Sequence, residues 1–237
     1  ISGGNYADIF NGITSASINN TSGTIGSRYW TIVNSGNDSL DLNLSYVGDQ
    51  SITSNISTTG NYGYGFWMKE NDSSTITIDG DITTTGSNAI GFYSELSDSN
   101  NITITGDITT SGTNGNSEGI ALVNSDSNTF TLSGKVQSLG GDEAIKVNST
   151  SQTNTFNLNA GANIIGGFYN EGTSTTITNQ GAIDILSNSG TITTLNNENA
   201  ITSLTNFNDM TTLDNSGSIS TIRNIGSINT FTNSETT

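Results

Sequence analysis

The chain has 237 residues, with 21 acidic and 5 basic side chains for a formal net charge of −16, and no cysteine, histidine or proline. Such a surface repels phosphate backbones and anionic bilayers, which argues against nucleic acid as a partner. Without cysteine there is no disulfide, thiol chemistry or thiolate metal site, and without histidine the commonest general base and metal ligand are gone.

Hydrophobic residues make up 31% of the chain and charged residues 11%, beside 28 glycines. That is too little apolar bulk for a thick core, yet the chain lacks the charge and proline of ordinary disorder. The polar bulk is Ser, Thr and Asn, which suit turns and stacked strands. No apolar run approaches the roughly 18 residues of a membrane span, so direct membrane insertion by this segment is not expected. With neither an initiating Met nor a signal-peptide pattern, the sequence reads as a mature piece of something longer.

In chain order, residues 1–45 show no clean register, although Leu40, Leu42 and Leu44 alternate as a strand should. They read as irregular or edge coils. Residues 46–163 read as longer coils with variable loops. Ile76, Ile102, Phe130 and Phe156 anchor them at spacings of 26, 28 and 26. Gly80, Gly106 and Gly134 recur in phase with these anchors, as do Gly65, Gly91 and Gly119, and so do Asp72, Asp98 and Asp126. Runs such as Thr75-Ile76-Thr77-Ile78 place apolar groups inward and hydroxyls outward, the period-two signature of a strand.

Residues 164–235 are regular nonapeptides. Asn170, Asn179, Asn188, Asn197, Asn206, Asn215, Asn224 and Asn233 keep a nine-residue beat. Two residues before each stands Phe168, Ile177, Leu186, Leu195, Leu204, Leu213, Ile222 or Phe231. A third column holds Ile165, Ile183, Ile192, Ile201, Met210, Ile219 and Ile228, with Ser174 as its one lapse. Columns held in phase in this way mark a repeat protein whose units bury their strands by stacking.

The whole chain is therefore expected to be one all-β unit, a parallel β-helix or β-solenoid of about 27 residues per coil, three times nine. On that geometry Asn197 stacks between Asn170 and Asn224. An eighteen-residue coil of two nonapeptides is the competing geometry for 164–235. In either case the asparagines are read as a structural ladder, because an amide can donate to one layer and accept from the next at about 4.8 Å.

Several residues invite a chemical reading. Glu70 with Asp72, Asp79 with Asp81, and Asp142 with Glu143 are the paired carboxylates a glycan-cleaving solenoid would need. Their scatter, and the Lys135 that follows Asp81 and Asp107 in register, read as a solvated face; no catalytic residue is expected. The nonapeptide carries Asn where a calcium solenoid needs a carboxylate, so neither metal nor cofactor is expected, apart from adventitious calcium at Asp72, Asp98 and Asp126. Aromatics concentrate in "NYGYGFWMK" (61–69), where Phe66 and Trp67 match Phe92 and Tyr93 one coil on. The corner "TTGSN" (84–88) becomes "TSGTNGNSE" (110–118). Because binding favours variable loops on a rigid scaffold, the candidate binding residues are Tyr62, Tyr64, Asn114, Asn116 and Glu118.

The string "TLDNSGSISTIRNIGSINTFTNSE" has Asn-x-Gly corners between short Ile/Thr strands. It resembles the passenger regions of Gram-negative autotransporters, with the vacuolating-cytotoxin-like group the nearest in character. The resemblance covers 164–235 well, 74–150 by composition and coil length, and 1–45 poorly. It implies a right-handed parallel β-helix, carried to the bacterial surface by a C-terminal outer-membrane barrel that is missing here. It also implies a role in adhesion, colonisation or toxicity. The expected function is accordingly a non-enzymatic surface-exposed or secreted adhesin or virulence factor, whose partner is a host-cell protein or glycan receptor, with self-association left open. A polysaccharide-processing β-helix of tailspike or lyase type, and a structural filament or cell-wall protein, are the alternatives.

Overall fold

The computed structural model describes residues 50–53, 55–113, 116–141 and 143–234, together with the short strands Ala16–Ser17, Ile32–Asn34 and Leu40–Asp41. Every described element is a strand and every ladder between strands is parallel, giving a β-solenoid. Leu40–Asp41 pairs with Ala16–Ser17, while Leu42 and Leu44 lie outside the described residues.

In the first part each coil has three faces. The first face stacks Gln50–Ile52, Thr75–Ile78, Asn101–Ile104, Thr129–Leu132 and Thr155–Leu158. The second stacks Ile56–Thr58, Ile82–Thr84, Ile108–Thr110, Lys135–Ser138 and Asn163–Ile165. The third stacks Phe66–Lys69, Phe92–Glu95, Ile120–Val123, Ile145–Val147 and Phe168–Asn170. Ile76, Ile102, Phe130 and Phe156 are direct register partners, as their spacing predicts. Strands alternate buried and partly exposed residues, so the inward rows of the three faces fill a narrow interior. Phe66, Phe92, Phe130, Phe156 and Phe168 form its axis, with successive ring centroids 4.8–5.6 Å apart in alternating stacked and edge-on pairs.

The first three corners from third to first face are built without glycine. Two residues in each take the left-handed conformation: Glu70 (φ 51°) and Ser73 (φ 57°), Leu96 (φ 51°) and Ser99 (φ 60°), Asn124 (φ 48°) and Ser127 (φ 58°). Such residues persist only where their surroundings hold them, and here three side-chain columns do so. Buried Ser97 and Ser125 accept the backbone N–H of Asn71 and Ser97. Buried Asn100, Asn128 and Asn154 accept the N–H of Ser74, Asn100 and Asn128. On the outside, Asp72, Asp98 and Asp126 each accept the N–H one coil on, at 2.7–2.8 Å. The corner into the third face carries glycine in its first three coils, at Gly65, Gly91 and Gly119, and Ala144 in the fourth, for another reason. A Cβ on Gly91 would sit 2.5 Å from the Gly119 carbonyl oxygen and 2.4 Å from Ile108 Cγ2.

The nonapeptide region departs from the 27-residue expectation. Its columns repeat every 18 residues: Ile177 pairs with Leu195, Leu195 with Leu213, and Leu213 with Phe231. The step on the first face falls from 26 (Phe130 to Phe156) to 21 (Phe156 to Ile177) and then to 18. The reason is strand length. Each nonapeptide puts seven residues into strand and two into a corner. At about 3.3 Å per residue, seven residues reach across two of the earlier three- or four-residue faces. The changeover is a single strand, Ala182–Asn188. Ala182 and Ile183 continue the second face on Asn163 and Ile164, while Leu186–Asn188 continue the third face on Phe168–Asn170. Pairing skips Asp184, so the old corner survives as a one-residue interruption.

The asparagines consequently stack as two columns, not three. Nδ2 of Asn170, Asn188 and Asn206 donates to Oδ1 of Asn188, Asn206 and Asn224 at 2.7–2.8 Å. Nδ2 of Asn179, Asn197 and Asn215 donates to Oδ1 of Asn197, Asn215 and Asn233 at 2.7 Å. Asn197 therefore lies between Asn179 and Asn215, not between Asn170 and Asn224. The lapse at Ser174 is resolved by a register shift: buried Thr175 pairs with Ile192 and its hydroxyl donates to Asn170 Oδ1.

Candidate functional site

The outward surface of the third face breaks the regularity of the solenoid. The register aligns Trp67, Tyr93, Ala121, Lys146 and Tyr169 in one outward column, while Phe66, Phe92, Ile120, Ile145 and Phe168 point inward beside them. Four of these five outward residues are large. Ala121 is the exception, and its short side chain leaves a notch between Tyr93 on one coil and Lys146 on the next. The notch opens into a recess of ≈ 190 Å³.

Two columns at the adjoining corner form the other wall. Tyr62, Asn88 and Asn116 follow one another at steps of 26 and 28, as do Tyr64, Ile90 and Glu118, and all six line the recess. Tyr62 and Asn88 share the left-handed conformation (φ 58° and 55°), and Asn116 N–H donates to Asn88 Oδ1 at 3.1 Å. The corner is clamped from within, since the buried hydroxyls of Thr58, Thr84 and Thr110 donate to the carbonyls of Gly63, Ala89 and Ser117. Tyr64 is held by rings on two sides, 5.6 Å from Trp67 edge-on and 5.2 Å from Tyr93. Tyr62 is the open member of the wall, 58% exposed.

Charge is also concentrated here. Lys69 and Lys146 are two of the five basic residues of the chain. Lys69 lies 3.7 Å from Glu95 and over the Trp67 ring, 5.2 Å from its centroid. Lys146 Nζ lies 3.9 Å from Glu118 and 3.9 Å from Glu143, and Glu118 is almost wholly buried. The Tyr93 phenol is pushed up to about 12, first by burial and then by the charge of Glu95, by Tyr64 once it ionises at alkaline pH, and by Glu118. It therefore presents a neutral O–H throughout the physiological range.

Of the five binding candidates named from sequence, Tyr62, Tyr64, Asn116 and Glu118 meet in this recess. Asn114 lies outside the described residues. Sequence reasoning missed Ala121, Lys146, Asn88 and Asn148 as lining residues. The signal was there in principle: aligned by register, the outward column reads Trp, Tyr, Ala, Lys, Tyr. The variable corner is also narrower than its 110–118 span. Gly112 stacks on Gly86 and Asn116 on Asn88, with one residue between the earlier pair and three between the later, so the two-residue lengthening falls within 113–115 in sequence.

Among the described residues the paired carboxylates do not assemble elsewhere. Asp72 and Asp81 accept backbone N–H groups from the next coil, and Asp79 accepts the Thr105 hydroxyl. Asp142 lies outside the described residues, and Glu143 joins Lys146 at the recess. Among the described residues no three acidic side chains converge as a metal-ligand set. Set against known protein families, curated proteins and solved structures, the chain matches none.

Proposed function

We propose that this solenoid is a non-enzymatic binding segment of the autotransporter-passenger kind, displayed on or released from a bacterial surface, where it acts as an adhesin or colonisation factor. A host-cell protein or glycan engages the recess on the third face. The observation that carries this reading is the break at Ala121. On a scaffold whose other columns serve stacking, one position opens a recess where aromatic, amide and paired charged groups converge, as binding sites require. The open Tyr62 lines it together with Asn116 and Glu118 of the variable corner, which suits contact with a partner.

The test is attachment of the passenger to host cells. Tyr62→Ser with Tyr64→Ser is expected to reduce attachment severalfold, and unchanged attachment would move binding away from this face. The glycan-processing alternative draws support from Glu118 and Glu143 flanking Lys146 in a concave site. Release of reducing ends from polysaccharide by the purified chain, lost in Glu118→Gln, would replace the adhesin reading with that one.

A further inference from the structure

Resting on the reading of this face as a binding surface, we infer that the recess at Ala121 accepts one uncharged six-membered sugar ring of a glycan. Size sets the first limit. At ≈ 190 Å³ the recess is smaller than the roughly 300–1,000 Å³ of sites that enclose drug-sized ligands, so it suits a single small ring. A folded peptide element would not enter it.

The lining sets the second limit. A pyranose presents C–H faces bordered by hydroxyls, and needs a flat apolar or aromatic surface beside groups that donate and accept. Tyr64 and Tyr93 supply ring surface, with Ile90 and Ala121 beside them. Donors are placed by the corners on either side of the third face. Asn88 Oδ1 accepts Asn116 N–H, and Asn148 Oδ1 accepts Thr150 N–H. With their oxygens committed to backbone, both amides offer NH₂ to a ligand. Lys146 adds a charged donor and Glu118 an acceptor, 3.9 Å apart.

Charge sets the third limit. An anionic sugar would meet Glu118 in the lining, with Glu143 beside Lys146, on a chain of net charge −16. A cation attracted by the tyrosines would meet Lys146 in the lining, and the Trp67 ring is already covered by Lys69. An uncharged ring avoids both conflicts.

The experiment titrates the full chain with methyl glycosides of glucose, galactose, mannose and N-acetylglucosamine, with N-acetylneuraminic acid and choline as charged comparators. Binding is read by tyrosine and tryptophan fluorescence and by saturation-transfer NMR. At least one neutral glycoside is expected to saturate in the millimolar range, ahead of both comparators. Ala121→Tyr, which fills the notch with a side chain its column already holds at Tyr93 and Tyr169, is expected to weaken that binding at least tenfold. Tyr62→Ser, at an exposed position, serves if Ala121→Tyr fails to fold, with a severalfold loss expected. The inference is overturned if no neutral glycoside saturates, if a charged comparator binds better, or if the folded variants bind as the parent does. Should sugars fail while Ala121→Tyr still abolishes cell attachment, the sugar ligand falls and the adhesin reading stands with a protein partner. Should Ala121→Tyr remove sugar binding and leave attachment intact, the inference stands and the adhesin role of this face falls.

Discussion

Replacing Asn197 by leucine isolates what the asparagine column contributes. Asn197 is fully buried. Its Nδ2 donates to Asn215 Oδ1 (2.7 Å), Asn199 O (3.1 Å) and Ser218 O (3.2 Å), and its Oδ1 accepts from Asn179 Nδ2 (2.7 Å). Leucine removes all four contacts. Asn179 Nδ2 keeps the Ala200 carbonyl at 3.2 Å, so the main casualty is the Asn215 oxygen, left buried without its donor. One such orphan costs about 1–3 kcal/mol, and the lost carbonyl contacts add to it, giving about 3 kcal/mol. For a chain of this size that is a fall of roughly 6–12 °C in thermal midpoint. Asn233→Leu, in an exposed strand, removes only the acceptor for Asn215 Nδ2, which keeps Gly217 O at 3.2 Å, and should cost under about 1 kcal/mol. Urea unfolding followed by far-UV circular dichroism measures both. A double-mutant cycle then separates the two coil lengths. Asn197→Leu with Asn215→Leu should be coupled by about 0.5–3 kcal/mol, because removing both partners relieves the orphan. Asn197→Leu with Asn224→Leu should be additive within about 0.5 kcal/mol. Coupling to Asn224 and additivity with Asn215 would refute the 18-residue register.

Gly91→Ala forces a Cβ to 2.5 Å from the Gly119 carbonyl oxygen, and should lower stability by about 1–3 kcal/mol in urea. Removing two residues from 113–115 should change the unfolding free energy by less than about 0.6 kcal/mol. Gly112→Ala, which puts a Cβ 2.3 Å from the Gly86 carbonyl oxygen, should cost visibly more in the same assay. Tyr93 titrates near 12 in the folded chain against an ordinary 10.0, so folding favours its neutral form. That contribution is fully present below pH 10 and is lost as pH rises towards 12. The parent should therefore lose stability more steeply than Tyr93→Phe between those pH values, and parallel pH–stability curves would contradict the assignment.

How far the sequence carried can be argued from particular residues. The anchors Ile76, Ile102, Phe130 and Phe156 were legible because interior columns tolerate only apolar side chains and repeat with the coil. The nine-residue asparagine beat was equally plain, but nine divides both 18 and 27. What decided between them was the width of the seven-residue strand, which spans two earlier faces, and Ala182–Asn188 shows the join directly. Periodicity fixes phase along the chain and leaves open how many units close a turn. The buried column Asn100, Asn128, Asn154 went unread for a related reason. Its members recur at 28 and 26, amid a composition already rich in asparagine, so they carry no contrast.

The candidate site was legible in part, and the part that was missed follows from how a solenoid encodes information. Tyr62 and Tyr64 stood out because they interrupt a polar sequence. Glu118 stood out only through its place in a longer corner, although its burial beside Lys146 makes it part of the wall. Ala121 is an unremarked alanine in one dimension. It becomes a feature only when Trp67, Tyr93, Lys146 and Tyr169 are set above and below it, 23 to 28 residues apart. Inward columns are constrained by stacking and announce themselves as repeats. Outward columns are free to vary, so a binding recess is written as a departure from its own column. In this column the small outward residue Ala121, set between Tyr93 and Lys146, marks the recess proposed to take a partner's atoms.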